Sequence, residues 1–105
     1  MKKISIVISV FNEESNIQEL VKEINKTKNP KFKYEIIFVN DGSSDASEDI
    51  IRNLCKVDYE YKLLSFTKNY GHEMAMSAGM DISSGDAVIF MDADLQHPPH
   101  MIKEM

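Results

Sequence analysis

Apolar positions along this chain follow two periods in turn. Ile4 to Val10 is a largely β-branched apolar run, the mark of a strand covered on both faces. The period then changes: Ile17, Leu20, Val21 and Ile24 recur at helical spacing, with Glu, Gln and Lys between them, so a helix is predicted from about Asn12 to Lys26. Asn29-Pro30 breaks it. Tyr34 to Val39 reads as a second strand and Asn40-Asp41-Gly42-Ser43-Ser44 as a turn. Asp45 and Glu48 have the spacing of a capping box for a second helix, whose Ile50, Ile51 and Leu54 face inward. A third strand is expected over Tyr61 to Phe66. The helix expected over His72 to Ile82 sets Ala75, Ala78, Gly79 and Ile82 on one face of mostly small residues, suited to close approach to a sheet. Ser84-Gly85 ends it, Ala87 to Met91 is the fourth strand, and Pro98-Pro99 suits the first turn of another helix.

Strictly alternating strand and helix predicts an α/β fold: a Rossmann-like, mostly parallel sheet with right-handed crossovers and helices on both faces. In such sheets ligands bind beyond the carboxyl ends of the strands. Those ends carry Phe11-Asn12-Glu13, Asn40-Asp41-Gly42, Lys68-Asn69-Tyr70-Gly71-His72 and Asp92-Ala93-Asp94, so polar and acidic groups are expected along one rim.

Composition narrows the possibilities. At 105 residues the chain has room for one core, and no linker or repeat divides it. Twelve basic against seventeen acidic residues give a net charge of −5, which argues against a nucleic-acid surface. No apolar run is long enough for a membrane span and no signal-peptide pattern opens the chain, so a soluble, cytoplasmic segment is expected. Cys55 is the single cysteine; it excludes an internal disulfide and reads as core.

The sharpest chemical feature is Asp92-Ala93-Asp94-Leu95-Gln96. Carboxylates two residues apart, just past a strand, project to the same side and can share one ion, and Gln96 adds an amide oxygen. Mg²⁺ and Mn²⁺ favour such oxygen ligands together with substrate phosphates. Taken alone, the pair is equally explained as residues that end a strand and cap a helix. The apolar run Val88-Ile89-Phe90-Met91 leads straight into it, though, and carboxylates at a core edge are costly without a positive partner. Asp41-Gly42-Ser43-Ser44-Asp45 suits any turn, but a carboxylate at a strand end also accepts hydrogen bonds from a nucleobase or ribose. Glu13 is open to the same two readings, since first helical turns favour acids. Lys68 to His72 joins a cation, a glycine and a helix N-terminus, a cradle for phosphate oxygens or a plain loop. His72 reads as a capping or orienting group, His97 and His100 as solvated, and Met74, Met76, Met80 and Met91 as packing.

Read together, the ordered blocks Val7-Ile8-Ser9-Val10-Phe11-Asn12-Glu13-Glu14, Phe38-Val39-Asn40-Asp41-Gly42-Ser43-Ser44-Asp45, Lys68-Asn69-Tyr70-Gly71-His72, Ala78-Gly79-Met80-Asp81, Ser84-Gly85-Asp86-Ala87 and Met91-Asp92-Ala93-Asp94-Leu95-Gln96-His97-Pro98-Pro99 span almost the whole chain. They resemble the inverting family 2 glycosyltransferases of GT-A fold, and within them the polyprenyl-phosphate branch related to dolichol-phosphate mannosyltransferase. The resemblance implies nucleotide contacts at Ser9, Phe11, Glu13, Asp41, Lys68 and Asp92, with Asp92, Asp94 and Gln96 holding Mg²⁺ or Mn²⁺ at the diphosphate. It implies a UDP- or GDP-sugar donor and a lipid-phosphate or glycan acceptor. Ser9 stands where the family usually has Pro, Lys68 where Arg is common, His97 where Asp is common and His100 where Glu is common. The family's acceptor half, including its carboxylate base and the membrane helices of some members, lies beyond the equivalent of Met105. Residues 1–105 are therefore expected to be the nucleotide-sugar-binding, N-terminal part of such a domain, able to bind but not to turn over. Membrane contact would come only through the later parts.

Two other classes share single features. An Asp-x-Asp phosphohydrolase would use Asp92 as nucleophile, but it wants Thr or Val where Gln96 stands and opens with its motif at the first strand. A receiver-like signalling domain needs an acceptor Asp after the third strand, where this chain has Thr67-Lys68.

Overall fold

The computed structural model describes residues 2–93. The elements are β1 (Lys3–Val10), α1 (Ile17–Thr27), β2 (Lys33–Asn40), α2 (Ser47–Val57), β3 (Tyr61–Ser65), α3 (His72–Ile82) and β4 (Ala87–Asp92). The strands pair in parallel in the order β3-β2-β1-β4, as the α/β reading expects. The register sets Val10, Asn40 and Ser65 in one row and Ser9 opposite Asp92, so the carboxyl ends finish level and their loops share one rim.

Alternation along β1 and β2 divides the core. Ile4, Ile6, Ile8 and Val10, with Tyr34, Ile36 and Phe38, meet Ile17, Leu20 and Ile24 of α1 and Ile51 of α2. On the other face Val7, Ile37 and Val39 meet Ala75 of α3. Each fully buried aliphatic side chain contributes on the order of 2 kcal/mol. Small residues let α3 lie flush on the sheet: a Cβ at Gly79 would stand 2.3 Å from Val7 Cγ1.

One carboxylate ties the α3 face together. Glu35, 1 % exposed, accepts hydrogen bonds from Ser5 Oγ at 2.7 Å, Ser84 N–H at 3.0 Å and Ser84 Oγ at 2.9 Å. Lys62 Nζ lies 2.5 Å away and Lys3 Nζ 3.3 Å away. Burial pushes its pKa upward, but the Lys62 ammonium and the Ser84 and Ser5 hydrogen bonds outweigh that and hold it well below the usual carboxylate range.

Several expectations are corrected. The first helix begins at Ile17 rather than near Asn12, because the amides of residues 12 to 14 bond to the β2–α2 loop and the first residue of α2 instead of starting a helical ladder. The capping box does not form. The N-cap of α2 is Ala46, Asp45 Oδ1 accepts the Ser47 N–H at 2.9 Å, and Glu48 bonds to Ser65 Oγ and Arg52. Of the small-residue face, Ala75 and Gly79 are buried, while Ile82 at the last turn is 44 % exposed. Met91 is core and Met76 packs beside Ala75, but Met74 and Met80 point outward, about half exposed. Cys55 is partly buried against the first core, which pushes its thiol pKa up. The helix expected at Pro98-Pro99 lies outside the described residues. No helix among the described residues is long and apolar enough to cross a membrane.

Candidate functional site at the carboxyl rim

A cavity of about 470 Å³ opens at the carboxyl ends of the strands, lined by Ser9, Phe11, Glu13, Asp41, Asn69, Gly71, His72 and Ala93. Four residues expected to touch a nucleotide, Ser9, Phe11, Glu13 and Asp41, thus meet on one wall although up to 32 positions separate them in sequence. Asp92 ends β4 with its backbone opposite Ser9 and directly before Ala93, which brings the end of that strand to the same opening. Asp94 and Gln96 lie outside the described residues. Lys68 is on the adjoining loop but not in the cavity wall; its ammonium lies 5.2 Å from the Tyr70 ring centre, and that ring meets Phe66 edge-on at 5.5 Å.

Asp41 is 2 % exposed and its carboxylate is already engaged. Oδ1 accepts the Tyr70 N–H at 2.7 Å, and Oδ2 accepts the Gly71 N–H at 3.0 Å and an Asn69 Nδ2 hydrogen at 3.1 Å. A carboxylate offers about four acceptor directions, and these bonds fill three of them. Next to it, Gly42 has φ +73°, and a Cβ there would fall 2.3 Å from the Lys68 carbonyl carbon and 2.4 Å from the Asn69 nitrogen. The second and third rim loops therefore touch backbone to backbone at a glycine.

The first and second loops are joined as closely. Asn12 N–H donates to Ser43 Oγ at 2.9 Å, Glu13 N–H to Ser47 Oγ at 3.0 Å, and Glu14 N–H to Asp45 Oδ2 at 3.1 Å. Burial tends to raise the Asp45 pKa, but hydrogen bonds from Ser47 and Glu14 outweigh it and hold it below the ordinary value. The Glu13 carboxylate accepts from Asn16 Nδ2 at 2.7 Å, which orients it at the cavity mouth. Phe11 is 47 % exposed and offers its ring to the opening. Asn69, Gly71 and His72 were legible only as parts of a loop that suited phosphate. The Asn69 side chain, which ties Asp41 to that loop, had no separate signal in the sequence.

Chemically, the rim offers carboxylates that accept hydrogen bonds, an exposed aromatic ring, and the N-terminus of α3 facing the same space. The end of β4 brings in a residue of the acidic pair. Strand order bears on the rivals: β1 lies between β2 and β4, whereas a receiver-like order places it between the second and third strands.

Known proteins resemble this chain in sequence and in fold. The family described as Glycosyl transferase family 2 matches residues 5–105. A "Bactoprenol glucosyl transferase" of Shigella phage SfV is 48 % identical over 107 residues, covering 97 % of this chain and 35 % of the relative. The structure of S. aureus TarS 1-349 in complex with UDP-GlcNAc superposes with a TM-score of 0.77 at 26 % identity, over 88 % of this chain and 26 % of that one. Mannosyltransferase PcManGT from Pyrobaculum calidifontis, in complex with GDP-Man and Mn²⁺, gives 0.79 at 22 % identity over 89 % and 28 %, a likeness of fold. The chain spans about a third of the length of the curated relatives it matches. With the family matched from the first strand to the last residue, and the same α/β sheet in solved glycosyltransferases, this chain belongs to glycosyl transferase family 2.

Proposed function

We propose that this chain is the donor-binding part of a metal-dependent, inverting glycosyltransferase that moves a sugar from a UDP- or GDP-sugar to a polyprenyl phosphate. The observation that carries the reading is the rim cavity, where Ser9, Phe11, Glu13 and Asp41 line one opening beside the end of β4. A relative named for bactoprenol and a neighbour holding UDP-GlcNAc support the acceptor and donor classes.

In this reading the exposed Phe11 ring stacks on the nucleobase, and Glu13 and the remaining acceptor direction of Asp41 take hydrogens from base or ribose. The N-terminus of α3 at His72 faces the diphosphate, with the positive end of the helix dipole toward it. Asp92, Asp94 and Gln96 would supply the oxygen donors that hold Mg²⁺ or Mn²⁺, and a bound ion would neutralise charge on the leaving nucleoside diphosphate. An acceptor oxygen attacks the anomeric carbon in line, the bond to the diphosphate oxygen breaks with its electron pair, and the anomer inverts. The acceptor-side groups belong to the part of the family domain that follows this one.

Incubating the full-length protein with UDP-glucose or GDP-mannose and a polyprenyl phosphate tests this. The expected outcome is a lipid-linked sugar of inverted anomer, lost on chelation of divalent ions. Turnover of a chromogenic phosphate ester in place of sugar transfer would favour the phosphohydrolase reading instead.

A further inference from the structure

Asn12 stands between Phe11 and Glu13, both in the cavity wall, and its backbone is left-handed at φ +53°. Most L-residues avoid that region; asparagine tolerates it best. The conformation turns the Asn12 amide onto the neighbouring loop. Oδ1 accepts the Ser44 N–H at 2.7 Å, the Asp45 N–H at 3.3 Å and the Ser44 hydroxyl at 3.3 Å, while the Asn12 N–H donates to Ser43 Oγ. The same β2–α2 loop begins at Asp41, which holds the backbone of Tyr70 and Gly71. Hydrogen bonds thus run from Asn12 to residues 43–45 and from Asp41 to residues 69–71, and the backbone of the β2–α2 loop connects the two sets, so that three rim loops are joined.

We propose that Asn12 is a positioning residue for donor binding. Its left-handed backbone and Oδ1 fix the β1–α1 loop on the β2–α2 loop, and so set Phe11 and Glu13 where a nucleotide meets them. This rests on the nucleotide-sugar reading above. It assigns Asn12 no contact with substrate: the residue acts through its neighbours, by removing the ordering cost that binding would otherwise bear.

Three forms of the protein separate the alternatives. Asn12→Gly keeps the left-handed backbone and removes the amide, and Asn12→Asp keeps both an acceptor oxygen and tolerance of that backbone. Amide hydrogen exchange without ligand, titration of UDP and GDP with Mn²⁺, and thermal melting are measured on each variant and on wild type. The Gly variant is expected to exchange the Ser44 and Asp45 amides about tenfold faster and to bind nucleotide about tenfold more weakly, with the Asp variant within about threefold of wild type. Unchanged exchange in the Gly variant overturns the clamp. Faster exchange with unchanged affinity overturns the positioning role, as does an affinity loss matched by global unfolding in the melt. Failure of wild type to bind either nucleotide removes the donor-site reading and the positioning role with it, while the exchange measurement still decides the clamp.

Discussion

At the scale of single residues, two buried carboxylates do different work. Asp41 accepts hydrogen bonds from two backbone amides and one side-chain amide, so its first duty is to the third rim loop. Asp41→Asn replaces one acceptor oxygen with a donor that faces other donors. That change is expected to cost about 2 kcal/mol in urea unfolding without any ligand, and unchanged stability would show the loop to be held by other means. Glu35 acts far from the rim. Its folded pKa lies below the unfolded one, so the unfolded chain takes up a proton first as pH falls. Its contribution is therefore complete above the ordinary carboxylate pKa of about 4.3 and declines below it. Glu35→Gln should lose about 2 kcal/mol at neutral pH and show a shallower acid limb than wild type. Asp45 and Glu48 are also held low and add to the slope, so the difference between the two profiles isolates Glu35. Neither arrangement was legible in the sequence: Glu35 interrupts an apolar strand without saying which cations approach it, and the acceptor pattern of Asp41 depends on a loop 28 positions away.

At the scale of elements, periodicity carried most of the information. β1, α2 and α3 could be placed because Ile4–Val10, Ile51 and Ala75–Gly79 must lie against something apolar. The start of α1 was not legible. Glu13 looks like a first-turn acid, yet its amide and that of Glu14 are spent on Ser47 and Asp45, partners that only the folded sheet brings near. The capping box failed for a related reason, since Ser65 at the end of β3 competes for Glu48 and the box ignores it. Two glycines give sharp element-level tests. Gly79→Ala drives a methyl into Val7 and should cost about 1–3 kcal/mol in thermal or urea unfolding. Gly42→Ala pushes on the backbone of Lys68 and Asn69 at a left-handed φ, and should weaken nucleotide binding as well as lower stability, whereas Gly79→Ala should lower stability alone. Equal behaviour of the two variants in both measurements would mean that the rim loops and the core are not separable.

At the scale of the molecule, level strand ends turn four short sequence blocks into one opening. The rim was foreseeable because parallel sheets collect their loops at the carboxyl edge; the depth of Asp41 and the outward turn of Lys68 were not, since both depend on how the third loop folds back. Family membership follows from the match over residues 5–105, and the donor chemistry is the proposal built on the cavity. The most direct test is calorimetric titration of UDP and GDP into the protein with and without Mn²⁺, repeated on Asp92→Ala. The account predicts that one of the two nucleotides binds, that binding depends on Mn²⁺, and that Asp92→Ala loses most of the affinity. No binding by either nucleotide, or an affinity indifferent to both Mn²⁺ and Asp92, would contradict it.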